Sequence, residues 1–317
     1  MSTTVLDRAD RRRSVSPAQW LRETTAAVRV SFTWFGVRKA LTNEQKNQAA
    51  EPFGAEGEYL SARKKLLDTK HVAYKEVTGV RGKVSAYWRS LTVPFPEPGI
   101  RLIKQHEVQG FNQQMADFRS ELEAAVVKLD QHYAELKSAA QRRLGDLFDA
   151  NDYPLSLRGL FGVDWDFPNV EPPDYLMQLN PAIYDQERTR VAARFEEAVQ
   201  LAEQAFIGEF AKLIEHLTER LSNSGGERKI FRDSAITNLT DFFERFRQLN
   251  VRSNTELDAL VERAKQIVGD VNAQALRDNN TLRQHVATQF SQVQSVIDGM
   301  LVDRPRRRII RNTQEEQ

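Results

Sequence analysis

Apolar and polar residues alternate along residues 28–34, which is the clearest strand pattern in the chain. The apolar positions are Val28, Val30, Phe32 and Trp34. A period of two places successive side chains on opposite faces of a sheet. The pattern predicts a strand here, and residues 101–103 are predicted to form a second short strand beside it.

A heptad pattern begins near residue 104 and continues to residue 150. Two rows recur every seven residues and lie three positions apart, which is typical of a coiled-coil seam. The first row is Val108, Met115, Leu122, Leu129 and Leu136, and the second is Phe111, Phe118, Ala125, His132 and Ala139. A continuous helix of this length would extend roughly 67 Å. His132 is interpreted as a buried core histidine rather than a metal ligand.

A second apolar helical face follows residues 151–181, which contain five of the 11 prolines. It comprises Phe195, Val199, Ala202, Phe206, Phe210, Leu213, Leu217 and Leu221. Two long amphipathic helices joined by a compact segment are expected to fold back on each other. The sequence therefore predicts an antiparallel hairpin in which the first heptad row packs on Phe195, Val199, Phe206 and Leu213.

Helix-start signals and chain breakers predict the remaining helices. Ser16 before Pro17 begins a short helix, and Thr42 with Gln45 forms a capping box. Further helices are predicted at about 56–91, 230–249, 254–268 and 271–300. The predicted fold class is mainly α, with a long antiparallel, coiled-coil-like hairpin, a small mixed α/β N-terminal part and a C-terminal helical module.

These patterns divide the chain into five segments. The expected organisation is a disordered tail at 1–16, an N-terminal part at 17–103, the hairpin at 104–222 with its tip at 151–181, a helical module at 227–302 and a basic disordered tail at 303–317. The Ser- and Gly-rich stretch at 222–226 is interpreted as a flexible joint between hairpin and module.

Composition excludes several classes of protein. Lys and Arg number 45 and Asp and Glu 44, so the whole chain has no strong net field that would attract nucleic acid or a membrane. With no cysteine, disulfides, thiolate nucleophiles and cysteine-based metal sites are impossible. The N-terminus lacks a secretory signal and no apolar run is long enough to span a bilayer, so we expect a cytoplasmic protein.

Motifs for catalysis are missing from the sequence. The string Gly79–Lys83 is too short for a phosphate-binding loop and lies in a predicted helix. None of the five histidines follows a glutamate at the three-residue spacing that di-metal helix bundles use. We therefore expect no enzyme activity and no cofactor.

Residues 161–175 concentrate aromatic and acidic side chains at the predicted hairpin tip. Aromatic anchors with flanking charges are typical of protein interfaces. The candidate partner-binding residues are Phe161, Asp164, Trp165, Asp166, Phe167 and Tyr175. The alternative is structural, because the period of two from Phe161 to Phe167 also predicts a strand that covers the end of the hairpin.

Arginines cluster in both terminal segments. Basic arms bind phosphates without sequence specificity. The candidates for nucleic-acid binding are Arg11, Arg12, Arg13, Arg304, Arg306, Arg307, Arg308 and Arg311. The alternative interpretation is that these arms are simply solvated.

Two stretches carry a resemblance to a known family. Trp34-Phe-Gly-Val-Arg-Lys-Ala-Leu41 is one; Lys229-Ile-Phe-Arg-Asp-Ser234 with Asn238 and Leu249-Asn-Val251 is the other. Over residues 28–260 the chain resembles a family of uncharacterised helical proteins of bacteria, phages and plasmids. Genes of that family lie near those for a MoxR-type AAA+ ATPase and a cobaltochelatase-like von Willebrand factor A protein.

The resemblance implies an adaptor role and assigns no catalytic residue. We therefore expect a non-enzymatic interaction protein of a bacterial or phage multi-protein assembly, with the AAA+ ATPase or the von Willebrand A-domain protein as partner. If the partner is a von Willebrand A domain, Asp164 or Asp166 would complete the coordination of its divalent ion. The alternative function is nucleic-acid association through the arginine arms, and homo-oligomerisation is left open.

Overall fold

The structure is a computed structural model that describes residues 15–221, 233–269 and 273–302. Most of these residues are helical. The helices within the described part of the chain are α1 (Pro17–Thr24), α2 (Asn43–Ala50), α3 (Val72–Ser90), α4 (Val108–Gln131), α5 (Tyr133–Leu144), α6 (Asp174–Leu179), α7 (Pro181–Leu221), α8 (Ser234–Leu249), α9 (Thr255–Gly269), α10 (Ala273–Asp278) and α11 (Asn280–Val302).

Within the described residues, six strands form one four-stranded sheet and one two-stranded ribbon. The strands are β1 (Thr25–Thr33), β2 (Arg38–Ala40), β3 (Arg63–Lys65), β4 (Thr92–Pro94), β5 (Ile100–Lys104) and β6 (Gly162–Asp166). The sheet has the order β4, β5, β1, β6, and the ribbon pairs β2 with β3. β1 and β6 are antiparallel, with Val30 opposite Trp165.

The chain divides into two compact units that are not continuous in sequence. The sheet unit comprises residues 26–92 and 99–169, and the helical unit comprises the described residues of 1–25, 93–98 and 170–317.

The core of the sheet unit lies between helices and sheet. Val28 and Val30 of β1 are buried while Arg29 and Ser31 are exposed, which confirms the predicted alternation. β5 lies beside β1, as predicted. Helix α4 packs on α3 and on β6, and all three contribute to one apolar cluster with β1.

The helical unit is built around α7, which packs on α1, α8 and α11. Phenylalanines of α7 and α8 form its aromatic centre; the rings of Phe210 and Phe242 stack with centroids 5.1 Å apart. Arg283 of α11 is buried and donates to the backbone carbonyls of Leu221, at 3.0 Å, and Arg220. A guanidinium is well suited to this position because the last carbonyls of a helix lack intrahelical donors and carry partial negative charge.

The predicted long hairpin is not confirmed. Helices α4 and α5 belong to the sheet unit and α7 belongs to the helical unit, and each finds packing partners inside its own unit. Met115, Leu122, Leu129 and Leu136 of the first heptad row are buried, but their cluster includes α3 and the sheet. An apolar stripe shows that a helix has a buried side, and it does not show which element covers that side.

Two predicted helix boundaries are wrong. The helix expected at 56–91 begins only at Val72, after a 3₁₀ turn at Gly57–Tyr59 and strand β3. The helix expected at 104–150 is interrupted at His132, whose side chain is half exposed rather than buried. The His132 ring lies 5.1 Å from that of His71, which precedes α3.

Several local predictions are confirmed. The Ser16 hydroxyl accepts a hydrogen bond from the Gln19 backbone, and Thr42 and Gln45 form both bonds of the capping box. The helices predicted near 230–249 and 254–268 correspond to α8 and α9, and the one at 271–300 is divided between α10 and α11. Among the described residues, no helix is long and apolar enough to cross a membrane.

Candidate functional site

The predicted partner-binding segment lies mainly in strand β6 of the sheet unit. Phe161 is buried, and its ring meets that of Trp34 edge-on at 4.9 Å between centroids. Trp165 is half-buried opposite Val30, and Phe167 lies beside Phe111 at 6.4 Å between centroids. Phe161, Trp165 and Phe167 therefore all contact residues of their own unit, and Phe167 is still 38% exposed.

Both aspartates of β6 are paired with arginines. Arg29 on β1, directly opposite Asp166, binds its carboxylate with two nitrogens at 2.9 and 2.6 Å. Arg119 of α4 donates to Asp164 at 2.8 Å and to the backbone carbonyl of Val163 at 3.2 Å. Metal coordination by either carboxylate would have to compete with these ion pairs.

Arg119 and Asn112 hold β6 against helix α4. The Arg119 guanidinium lies 4.6 Å from the centroid of the Trp165 ring, and the indole nitrogen of Trp165 donates to Asn112 at 2.6 Å. β6 is an edge strand, and Arg119 donates a hydrogen bond to one of its backbone carbonyls. Such cover limits pairing with another chain at the sheet edge.

Tyr175, the sixth predicted partner-binding residue, lies in the helical unit on α6. This short helix is joined to α7 by Asn180, whose side chain accepts from the backbone of Ile183 at 3.3 Å, and Pro181 follows at the first position of α7. Asn at the cap and Pro at the first helical position are favourable at a helix start. We call residues 174–185 the α6–α7 elbow.

The elbow carries large apolar side chains in solvent. The exposed fractions are 60% for Tyr175, 54% for Met177, 76% for Leu179 and 44% for Ile183. The first buried residue of α7 is Val191, so its first ten residues have no buried side chain. Two carboxylates, Asp174 and Asp185, lie at the ends of this stretch.

A second charged feature is the β2–β3 ribbon of the sheet unit. Arg38 lies opposite Lys65, Lys39 opposite Lys64, and Ala40 opposite Arg63. Opposed residues share a face of an antiparallel pair and neighbours along a strand alternate. One face therefore carries Lys39 and Lys64, and the other carries the remaining three cations.

The Lys39/Lys64 face is bound to a buried carboxylate. Asp152 has a fully buried side chain; the Lys64 nitrogen lies 2.6 Å from one carboxylate oxygen, and Lys39 binds the other. Lys64 also donates to the carbonyl of Leu147 at 2.7 Å. Burial by itself raises the pKa of Asp152, but hydrogen bonds and charge from Lys39 and Lys64 outweigh burial and lower it.

Tyr133 and Tyr153 are both buried in the sheet unit. The Tyr133 hydroxyl donates to the carbonyl of Pro154 at 2.9 Å. Burial, together with the negative charges of ionised Tyr153 and Asp130, raises the pKa of Tyr133 to about 12. The phenol therefore stays neutral well into the alkaline range.

This shift predicts an alkaline effect on stability. Because the folded-state pKa is raised above the ordinary 10.0, neutral Tyr133 contributes stability that is present below pH 10 and lost as the pH rises towards 12. The difference between ultraviolet titrations of the wild type and of Tyr133→Phe should show a tyrosine step near pH 12. If Tyr133→Phe instead reduces the absorbance change near pH 10 by that of one tyrosine, the Tyr133 hydroxyl has an ordinary pKa and is not buried.

Sequence reasoning missed the residues that organise these features. Asp130 accepts from the backbone of Leu157 at 2.8 Å and from Ser156 at 3.0 Å, which fixes the loop before β6. No local pattern marks Asp130, Arg119 or Asp152, because their partners are distant in sequence. The elbow did have a signal in Asn180 and Pro181, followed by ten residues without an apolar period.

The other sequence candidates have different outcomes. The arginines of both tails lie outside the described residues, as do Lys229 to Arg232 of the resemblance block. Leu249-Asn-Val251 of the same block forms the α8–α9 turn, where Asn250 binds Asp258 at 2.6 Å and accepts from the backbone of Arg252. Within the described residues no group of three or more His, Asp or Glu side chains is arranged to hold a metal ion.

Comparisons with known proteins add no relative. No protein-family model, no curated protein and no solved structure matches the chain.

Proposed function

We propose that the protein is a non-enzymatic adaptor of a multi-protein assembly and that the α6–α7 elbow is its docking surface for a partner protein. The observation that carries this proposal is the exposure of four large apolar side chains within nine residues, from Tyr175 to Ile183. Isolated exposed apolar residues are common, but a concentration of them is typical of interaction sites.

The elbow has the composition of an interface core. Tyrosine and methionine are enriched in interfaces, tyrosine as a large anchor and methionine as an adaptable one. α6 contacts α7, and Asn180 fixes the turn between them, so little order has to be gained on binding. A helical docking surface of this kind is available without rearrangement of the core of the helical unit.

The flanking charges indicate the partner's chemistry. Asp174 lies at one end of the apolar residues, and Asp185 at the other end is paired with Arg188 at 3.6 Å. The complementary surface is therefore an apolar groove with a basic group opposite Asp174. The partners to test first are the MoxR-type AAA+ ATPase and the von Willebrand A-domain protein that the family resemblance implies. The candidate residues of β6 remain a second site to compare, since their carboxylates are partly exposed.

The test first identifies the partner by site-specific photo-crosslinking from position 179 in the native host. The captured protein is then purified, and its binding to the wild type and to the variants is measured by calorimetric titration. We expect Tyr175→Ser/Leu179→Ser to weaken binding at least tenfold, because truncation of interface anchors costs about 2 kcal/mol or more. The matched control is Phe53→Ser/Tyr59→Ser, which removes two aromatic residues of the sheet unit that are more exposed still, at 86% and 84%.

Three results would contradict the elbow as the docking site. One is equal loss of binding in the control, and another is unchanged binding in the elbow variant. The third is loss of binding only in Asp164→Asn/Asp166→Asn, which would place the contact on β6. If sedimentation shows that the elbow variant abolishes self-association of the wild type, the elbow joins copies of this chain instead.

A further inference from the structure

The geometry points to a nucleic-acid phosphate-binding surface on the outer face of the β2–β3 ribbon. Arg38, Arg63 and Lys65 share this face and are all exposed. None of the three has an ion-pair partner within the described part of the chain. Its residues are different from those of the elbow and from the tail arginines considered above.

The Lys39/Lys64 face of the ribbon is fixed to the rest of the sheet unit. Lys39 and Lys64, on the opposite face, are bound to Asp152, and Lys64 is also bound to Leu147. Backbone bonds continue the pairing at both ends, from Leu41 to the carbonyl of Ala62 at 3.1 Å and from Leu66 to that of Val37 at 2.8 Å. The outer cations are therefore presented on a fixed support, which reduces the ordering cost of binding.

The outer cations lie close together. Arg38 and Lys65 are directly opposed, and such pairs have Cβ atoms about 5 Å apart. Arg63 is two residues from Lys65 on the same strand, or about 6.6 Å along it. Duplex nucleic acid carries one negative charge per about 1.7 Å of its axis, so a patch of this size faces several phosphates.

The excess of cations in the sheet unit lies in the segment that contains the ribbon. Residues 26–92 contain 12 Lys and Arg against 6 Asp and Glu, whereas residues 99–169 of the same unit contain 8 against 11. Four of those acids, Glu44, Glu51, Glu56 and Glu58, lie in the segment that joins β2 to β3. The positive surface is therefore confined to the ribbon itself and its footprint is small.

Nucleic acid fits this surface better than a protein or a membrane does. A protein interface needs an apolar core, and the only apolar side chain on the outer face is Ala40. Membrane association through charge uses clusters of four to eight cations and is strengthened by inserted apolar residues. Phosphate-backbone binding needs only cations in fixed positions, and guanidinium forks match phosphate oxygens.

The experiment measures binding of the full chain to a duplex DNA of mixed sequence by fluorescence anisotropy over a range of salt concentrations. The ribbon variant is Arg38→Gln/Arg63→Gln/Lys65→Gln. The control is Lys75→Gln/Arg89→Gln/Arg142→Gln, which removes three exposed cations from the same unit with the same change of charge. Both variants keep the arginine-rich tails, so any contribution of the tails is equal in the two.

We expect the ribbon variant to bind duplex DNA at least tenfold more weakly than the wild type at low salt. The plot of log affinity against log salt should become less steep, by about 2 to 3 in slope, because roughly one counterion contact is lost per removed cation. The control should bind like the wild type, and both variants should have the wild-type circular dichroism spectrum and melting temperature.

Other outcomes would overturn the proposal. No wild-type binding at low salt, equal affinity in the ribbon variant, or an equal loss in the control would each do so. Parallel titrations with polyglutamate and with phosphatidylserine vesicles separate the remaining sources of negative charge. Ribbon-dependent binding to either of them with no binding to DNA would assign the surface to an acidic protein or a lipid instead.

Discussion

Asp152→Asn is expected to lower the free energy of unfolding of the sheet unit by about 3–5 kcal/mol, the usual cost of removing one partner from a buried ion pair. Lys64 is buried with Asp152, so the variant would leave an ammonium group without a counter-charge where water cannot replace it. Urea unfolding followed by tryptophan fluorescence measures this change, since Trp34, Trp88 and Trp165 all lie in the sheet unit.

The two lysines that share Asp152 provide the control. The Lys39 side chain is 56% exposed whereas that of Lys64 is 6% exposed. Lys39→Ala should therefore cost much less stability than Asp152→Asn, because exposed ion pairs contribute little. Equal losses for Lys39→Ala and Asp152→Asn would show that burial does not govern this site.

The ion pair between Asp152 and Lys64 also predicts that the free energy of unfolding decreases in acid. Because the folded-state pKa of Asp152 is lowered below the ordinary 3.8, its contribution to stability is fully present above that value. The contribution is lost as the pH falls through the folded-state pKa. Asp152→Asn should therefore unfold with a weaker dependence on pH in this acidic range than the wild type.

Leu129→Ala is expected to destabilise the sheet unit by about 2–5 kcal/mol, the range for removing a fully buried leucine side chain. Leu129 of α4 has no exposed surface and belongs to the cluster that joins α3, α4 and β1. Because the core is closely packed here, removing the leucine side chain leaves a cavity that neighbouring side chains fill only in part.

Val127→Ala is the matched control because Val127 lies two residues away on the same helix and is 36% exposed. It should change the unfolding free energy by less than about 1 kcal/mol, since surface substitutions have small effects. If Leu129→Ala and Val127→Ala unfold at the same urea concentration, Leu129 does not lie in the core.

Local features were predicted well because their causes are local. The Ser16 and Thr42 caps depend on bonds across three residues, and the alternation in β1 depends on a strand's own geometry. The heptad rows correctly marked the buried side of α4. They did not identify its packing partner: α4 packs on α3, and the predicted pairing with α7 is not confirmed, because both helices present apolar faces that satisfy the same rule.

The candidate sites show the same division. Tyr175 was a candidate from composition, but its place in the proposed docking surface depends on its exposure, and exposure depends on the whole surrounding fold. Trp165 and the two aspartates of β6 had the composition of an interface, yet in the folded chain they contact Asn112, Arg119 and Arg29. Composition alone does not distinguish an aromatic anchor that awaits a partner from one already packed.

By itself the sequence determined that this protein is mainly helical, where several helices begin, and which side of α4 and of α7 is buried, since caps and apolar periodicity act over a few residues. Only the tertiary structure decided how those faces are matched. Strand β3 shows the difference most clearly: it has no apolar residue, and its central Lys64 is buried only because Asp152 lies beneath it. A strand stabilised by a carboxylate 88 positions away has no local signal.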